Sequence, residues 1–331
     1  MKAIYFGNDV SLLKKVYSDP VRKKIAERFQ VEDTVYGEND LPSNDFSEVA
    51  YLFSTWGIAP ISKEAIKKCF PSLKAVFYAA GSVQHFARSF LDLGVRVFSA
   101  YRANAIPVIE YASAQIVLAN KGFYSAARRM RREGWKSAAQ VAEKYPGNYG
   151  AKVGLLGVGT IGFGVLQRLK SYQLEIWTDD FSVSEEQAVM WGVRRATMKE
   201  IFAECDVISN HMANNAQTVG IINCELIDSM KDYATFINTG RGAQVDESAL
   251  ADKLEKNPTI TAVLDVTCPE PPNAASRFYT LENVVLTPHI AGSSGREAER
   301  MAEMMYRAAC DLFNGEMPDC EITPEMLRWM A

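Results

Sequence analysis

The chain has 331 residues, long for one hydrophobic core and suited to two domains. Charged residues make up 23% and hydrophobic residues 48%, and a net charge of -4 gives no general attraction to nucleic acid or an anionic membrane. Six scattered cysteines (Cys69, Cys205, Cys224, Cys268, Cys310, Cys320) exclude a disulfide frame and read as reduced thiols of a cytoplasmic protein, mostly core filler.

Met1–Gly7 is too short for the apolar region of a secretory leader, and Lys2–Gly7 reads as a strand. Strands follow at Val49–Ser54, Ala75–Ala79 and Val95–Ser99, with helices over Ser11–Phe29 and Ser62–Cys69. This alternation predicts a parallel sheet with helices on both faces. Pro107–Gly134 reads as a long helix, with Pro107 in the first turn, where a missing N–H is harmless. Six further strands are expected at Lys152–Leu156, Leu174–Thr178, Asp206–Asn210, Ala234–Asn238, Thr261–Val266 and Asn283–Leu286. Helices fall between them over Ile161–Tyr172, Met198–Cys205, Cys224–Lys231 and Glu247–Lys256. A last helix, Gly295–Asn314, precedes a short tail, Pro318–Ala331.

Gly157-Val158-Gly159-Thr160-Ile161-Gly162 joins the strand Lys152–Leu156 to the helix after it. Gly157 allows the tight turn, Gly159 lets backbone approach a pyrophosphate, and Gly162 permits close helix–strand packing. The first turn of that helix, Thr160 and Ile161, offers N–H groups to phosphates. Asp179 closes the next strand, roughly 20 residues on, where a carboxylate suits ribose hydroxyls. No basic residue follows Asp179 before Arg194, which favours NAD over NADP.

The fingerprint starts mid-chain, so the fold expected is α/β with two doubly wound parallel-sheet domains. A Rossmann dinucleotide-binding domain, 104–294, is inserted into a flavodoxin-like substrate domain made of 1–103 and 295–331. The crossings fall near Ala103–Ile106 and Gly292–Arg296.

Ligands of such sheets bind beyond the carboxyl ends of the strands, where Arg241, Glu270 and His289 lie after three successive strands. Arg241, between glycines, can clamp a carboxylate bidentately and polarise the adjacent carbonyl. His289 offers a group suited to proton transfer near neutral pH, and Glu270 can pair with that imidazole and hold it protonated. Three histidines, none at ligand spacing with cysteine or carboxylate, argue against a metal site.

These motifs together resemble the D-isomer-specific 2-hydroxyacid dehydrogenases, most strongly from Asn104 to Ser294. The resemblance rests on Gly157–Gly162 with Asp179, on Asn238–Gly242, on Asp265-Val266 with Glu270-Pro271, and on Thr287-Pro288-His289. It implies NAD as cofactor and a small 2-keto or 2-hydroxy acid as substrate. Arg241 would bind that substrate, Glu270 would support the histidine, and His289 would be the acid/base. His211, Thr239 and Asp265 join the glycine motif as expected cofactor contacts. Backbone N–H groups of Ala80, Gly81 and Ser82 are candidates for the substrate carboxylate, with His85 just beyond. A homodimer formed through the nucleotide domains, partly by Pro107–Gly134, is also implied. Met212-Ala213 departs from the family's apolar-Pro pair, which would loosen contact with the cofactor. The rival reading is an NAD(H)-sensing, corepressor-like binding protein of the same fold.

Overall fold

The computed structural model describes residues 1–179 and 181–328. It divides into two compact units: Met1–Ala105 with the described residues from Ser293 on (unit 1), and Ile106–Gly292 (unit 2).

Unit 1 begins with Lys2–Phe6 (β1), Val10–Val16 (α1), Asp19–Arg28 (α2), Val35–Tyr36 (β2) and Val49–Ser54 (β3). Lys63–Cys69 (α3), Ala75–Tyr78 (β4), Ala87–Leu91 (α4) and Arg96–Ser99 (β5) follow, and Tyr101–Asn120 (α5) leads into unit 2. The single helix expected over Ser11–Phe29 is two helices. Ser18 stands at the N-cap of α2 and Pro20 in its first turn, where a proline cannot continue the preceding helix. Pro107 also departs from expectation, lying inside α5 rather than in its first turn, because the helix already starts at Tyr101. The long helix then stops at Gly122, whose left-handed φ of +65° suits glycine.

Unit 2 continues with Phe123–Glu133 (α6), Trp135–Ala142 (α7), Tyr149–Leu156 (β6), Thr160–Leu169 (α8) and Gln173–Asp179 (β7). Glu185–Trp191 (α9), Arg194–Ala196 (β8), Met198–Glu204 (α10) and Val207–Asn210 (β9) come next. Cys224–Asp228 (α11), Thr235–Asn238 (β10), Glu247–Lys256 (α12), Thr261–Leu264 (β11) and Val284–Leu286 (β12) complete it. Glu297–Phe313 (α13) and Glu321–Ile322 (β13) return to unit 1; of the expected tail, residues 329–331 lie outside the described part.

The unit 1 sheet has the order β13-β5-β4-β3-β1-β2. Its five parallel strands follow the flavodoxin-like order, and β13 adds an antiparallel edge that the sequence reading missed. Two residues long, β13 has no apolar pattern of its own; Arg96 binds Glu321 with two hydrogen bonds of 2.7 Å. Alternating residues fill two cores, as a pleated strand requires. Tyr5, Phe53, Phe77 and Phe98 face one side in register, with Phe53–Phe77 and Phe77–Phe98 stacked at 5.4 and 5.1 Å. Ile4, Leu52, Val76 and Val97 face the other.

The unit 2 sheet runs β12-β11-β10-β9-β6-β7-β8, all parallel, so the expected six strands are seven. The strand missed is β8, whose Arg194-Arg195 pair looks like a loop in sequence. It supplies the third strand of the dinucleotide-binding order. Leu155, Val207 and Ile237 pack on one face, and Leu156, Ile208 and Phe236 on the other. Among the described residues, no helix is long and apolar enough to cross a membrane. All six cysteines are free, but Cys224 and Cys268 are exposed rather than core filler, since both sit in surface loops or helix starts.

Candidate functional site

The strand order of unit 2 reverses between β6 and β9, where consecutive connections leave in opposite directions and open a crevice. The glycine turn lies there. Gly157 has φ +81°, and a Cβ on it would come within 2.6 Å of the Met212 backbone. A Cβ on Gly162 would lie 2.1 Å from the Gly157 carbonyl, whereas Gly159 faces open space. Helix α8 starts at Thr160 without a side-chain cap, so the N–H groups of Thr160, Ile161 and Gly162 face that opening.

His211, directly after β9, is 8% exposed. Its Nδ1 meets Thr239 Oγ1 at 3.3 Å, while its buried Nε2 has no partner among the described residues. Burial pulls the ring down to about 4, which leaves a neutral imidazole aimed at an unfilled hydrogen bond. Together with the cradle at Gly159, this orphaned atom fits a bound dinucleotide.

Asp179 is 1% exposed, and its carboxylate already accepts from Gly157 N–H (2.6 Å) and from the N–H and hydroxyl of Ser182. It therefore holds the glycine turn in place. Strand β8 brings Arg194 and Arg195 beside β7, opposite Trp177 and Thr178, with Ala196 opposite Asp179. Arg194 accordingly stacks 3.8 Å over Trp177.

The Met212-Ala213 backbone is held by the side-chain amides of Asn210 and Gln244. Met212 N–H donates to Asn210, and the Met212 and Ala213 carbonyls accept from Gln244 Nε2 at 3.1 and 3.0 Å. Arg241 follows β10 on an extended stretch, and Gly242 lets this loop touch the next, since a Cβ there would overlap the Thr267–Cys268 backbone. The Arg241 guanidinium is half-buried. Burial lowers its proton affinity, and the Glu270 carboxylate opposes that shift.

His289 sits after β12 with a left-handed φ of +53°. Asp265 holds its loop: Oδ1 accepts from Thr287 Oγ1 (2.7 Å) and Ile290 N–H (2.8 Å), and Oδ2 from Ala291 N–H (2.9 Å). Thr287 in turn meets Tyr111 of α5 at 3.2 Å. The Asp265 carboxylate, expected at the cofactor, is engaged by this turn. His289 Nδ1 lies 2.5 Å from Glu270 Oε1, with side chains 44% and 41% exposed. A cavity of about 430 Å³ opens beside the pair, lined by Asp265, Thr267, Pro271 and Tyr279 as well.

Ala80, Gly81 and Ser82 belong to unit 1, at the end of β4, where Ser99 Oγ donates to the Ala80 and Gly81 carbonyls. His85 is exposed, and its Nε2 donates to the Ile58 carbonyl at 3.2 Å. Sequence reasoning missed Gln244, Asn210 and Thr287. The signal available was an asparagine ending each of two apolar strands, Asn210 and Asn238, which fall in register.

The sequence model of the D-isomer specific 2-hydroxyacid dehydrogenase NAD binding domain matches residues 113–291. A D-3-phosphoglycerate dehydrogenase from Archaeoglobus fulgidus is 33% identical over 206 residues, 62% of this chain and 38% of that protein. The chain thus spans about two fifths of the length of the curated relatives it first matches. A glyoxylate reductase from Korarchaeum cryptofilum is 29% identical over 271 residues, 81% of each chain. The solved structure of a D-2-hydroxyisocaproate dehydrogenase superposes with a TM-score of 0.77 at 18% identity, covering 98% of this chain and all of that one. The fold, the glycine cradle and the extent of the sequence match agree: this chain belongs to the D-isomer-specific 2-hydroxyacid dehydrogenase family and carries its NAD-binding domain.

Proposed function

We propose that the protein is an NAD-dependent oxidoreductase interconverting a small D-2-hydroxy acid and its 2-keto acid. The observation that carries the reading is the 2.5 Å contact of His289 Nδ1 with Glu270, on the same sheet edge as the glycine cradle. With Nδ1–H donating to the carboxylate, Nε2 is the ring atom left to exchange a proton with substrate. In reduction the imidazolium gives that proton to the carbonyl oxygen; in oxidation the neutral ring takes it from the hydroxyl. Arg241 holds the substrate carboxylate in its planar fork and polarises the neighbouring carbonyl. Bound NAD would supply or accept the hydride at the substrate C2. Gly157, Gly159, Thr160, Ile161, Gly162, His211 and Thr239 would hold it, with Asp179 supporting the turn and disfavouring a 2′-phosphate by its charge. Unit 2 is thus read as the nucleotide domain and unit 1 as the substrate domain. Exposed Phe123, Met130 and Trp135 on α6 and α7 support a homodimer built through this arm.

The test is oxidation of NADH with glyoxylate, hydroxypyruvate, pyruvate and bulkier 2-keto acids. At least one is expected to turn over, and Arg241→Lys should raise its KM by about 10-fold or more while NADH affinity stays nearly constant. Absence of turnover with every keto acid would leave the binding-protein reading in its place.

A further inference from the structure

Arg241 lies outside any strand, yet its backbone is extended, with φ -142° and ψ 145°. An extended residue in a loop has no ladder to hold it, and here buried side-chain amides take that place. Gln244 is fully buried, with hydrogen bonds at both ends of its amide. Its Oε1 accepts from Arg241 N–H (3.0 Å) and Asn210 Nδ2 (2.8 Å), and its Nε2 donates to the Met212 and Ala213 carbonyls. Asn238 completes the clamp: its Nδ2 donates to the Arg241 carbonyl (3.2 Å), and its Oδ1 accepts from Gly240 N–H and Asn210 Nδ2 (both 3.0 Å). Both polar groups of the Arg241 backbone therefore meet side-chain amides, and its carbonyl also accepts from the Gln244 N–H at 3.3 Å. A Cβ on Gly240 would lie 2.7 Å from Gln244 Oε1 and 2.8 Å from Asn210 Nδ2, so the glycine makes room for the cluster.

We infer that Gln244 is the positioning residue for Arg241 and ties it to the loop at the glycine turn, an inference that rests on Arg241 being the substrate's carboxylate ligand. The same amide bonds the Met212 and Ala213 carbonyls, so Arg241 is anchored to the loop that follows β9. Both ends of the amide are needed. An apolar side chain of equal size leaves Arg241 N–H, Asn210 Nδ2 and two carbonyls with a lost partner. The bidentate geometry of a guanidinium is sensitive to such a shift, whereas a point charge is not.

A double-mutant cycle in the NADH-loaded enzyme tests this, read with the 2-keto acid that the wild type reduces best. Gln244→Met should raise the keto-acid KM by about 10-fold or more and change the NADH dissociation constant by no more than about threefold. In an Arg241→Lys background the same substitution should change KM by less than about threefold, because no planar fork remains to be aimed. Additive effects, or an equal loss of NADH affinity, would make Gln244 a structural residue and overturn the inference while leaving the reading of Arg241 intact. Arg241→Lys without effect on keto-acid use would overturn both. Should Gln244→Met fail to accumulate folded, Gln244→Glu, which keeps an acceptor toward Arg241 N–H but loses the donors, is read in the same cycle against the same outcomes.

Discussion

In unit 1 the polar residues that close the central strands are hydroxyls, which donate to carbonyls at the ends of neighbouring strands. Ser54 Oγ donates to the Phe6 carbonyl at 2.6 Å, Thr55 Oγ1 to Ala79, and Ser99 Oγ to Ala80 and Gly81. In unit 2 the equivalent edge carries Asn210, Asn238 and Asp265, and these hold neighbouring loops so that His211, Arg241 and His289 project from them. The two sheets share a doubly wound topology. They differ in what those ends carry. A hydroxyl has a single proton to give; amides and carboxylates engage several partners at once and support a loop whose other side chains remain available.

The largest effect expected from this contrast is catalytic. His289→Ala should lower keto-acid turnover by about 10²–10⁴-fold, the usual contribution of a positioned acid, with the fold retained. His85→Ala, in unit 1, should change it by less than about threefold, because that imidazole is occupied with the Ile58 carbonyl. Matched steady-state assays of both variants compare the two edges directly. A loss at His85 as large as that at His289 would mean that unit 1 also supplies an acid.

The core makes the next comparison. Phe77 stands in the middle of the aromatic ladder of unit 1, stacked on both sides and fully buried. Phe77→Ala should cost about 3–5 kcal/mol, against about 0.5–1.5 kcal/mol for Ile237→Val in the aliphatic core of unit 2. Denaturant unfolding of each variant measures this. Equal costs would show that the Phe77 site collapses around the lost ring instead of leaving a cavity.

How much of this was legible depended on how local each signal is. The glycine turn and the apolar strands announced themselves, because a tight turn needs glycine and a buried parallel strand needs a run of apolar residues. Arg241, Glu270 and His289 could be placed on one edge once their strands were recognised, since parallel strands point the same way. Strands β8 and β13 could not, because a short edge strand is defined by its neighbour rather than by its own composition. The same holds for Arg194, remote from Asp179 in sequence but carried next to β7 by strand pairing. Gln244, Asn210 and Asp265 act through partners far along the chain, such as Asn210 with Gln244 and Asp265 with Ile290. No spacing rule reveals such partners. Pro107 misled because proline starts helices more often than it sits inside them, yet α5 accommodates it past the first turn.

The smallest effect concerns acid stability, and it separates the two edges again. The buried strand-end groups of unit 1 are hydroxyls, which do not titrate in the acid range. In unit 2 the edge buries His211, whose ring burial lowers from 6.5 to about 4. Between those values the unfolded chain takes up a proton that the folded chain refuses. Stability from this group is thus fully present above pH 6.5 and is lost as pH falls toward 4. At 1.36 kcal/mol per pH unit, the loss between pH 7 and pH 5 amounts to about 2 kcal/mol. Glutamine at this position keeps polar atoms and cannot titrate, so His211→Gln should unfold with a pH dependence shallower by about that amount over the same interval. Chemical denaturation of both proteins at pH 7 and pH 5, without NADH, reads the difference. An unchanged slope in His211→Gln would show that acid weakens the protein through other groups, and that the orphaned Nε2 at the glycine cradle is protonated without penalty in the folded chain.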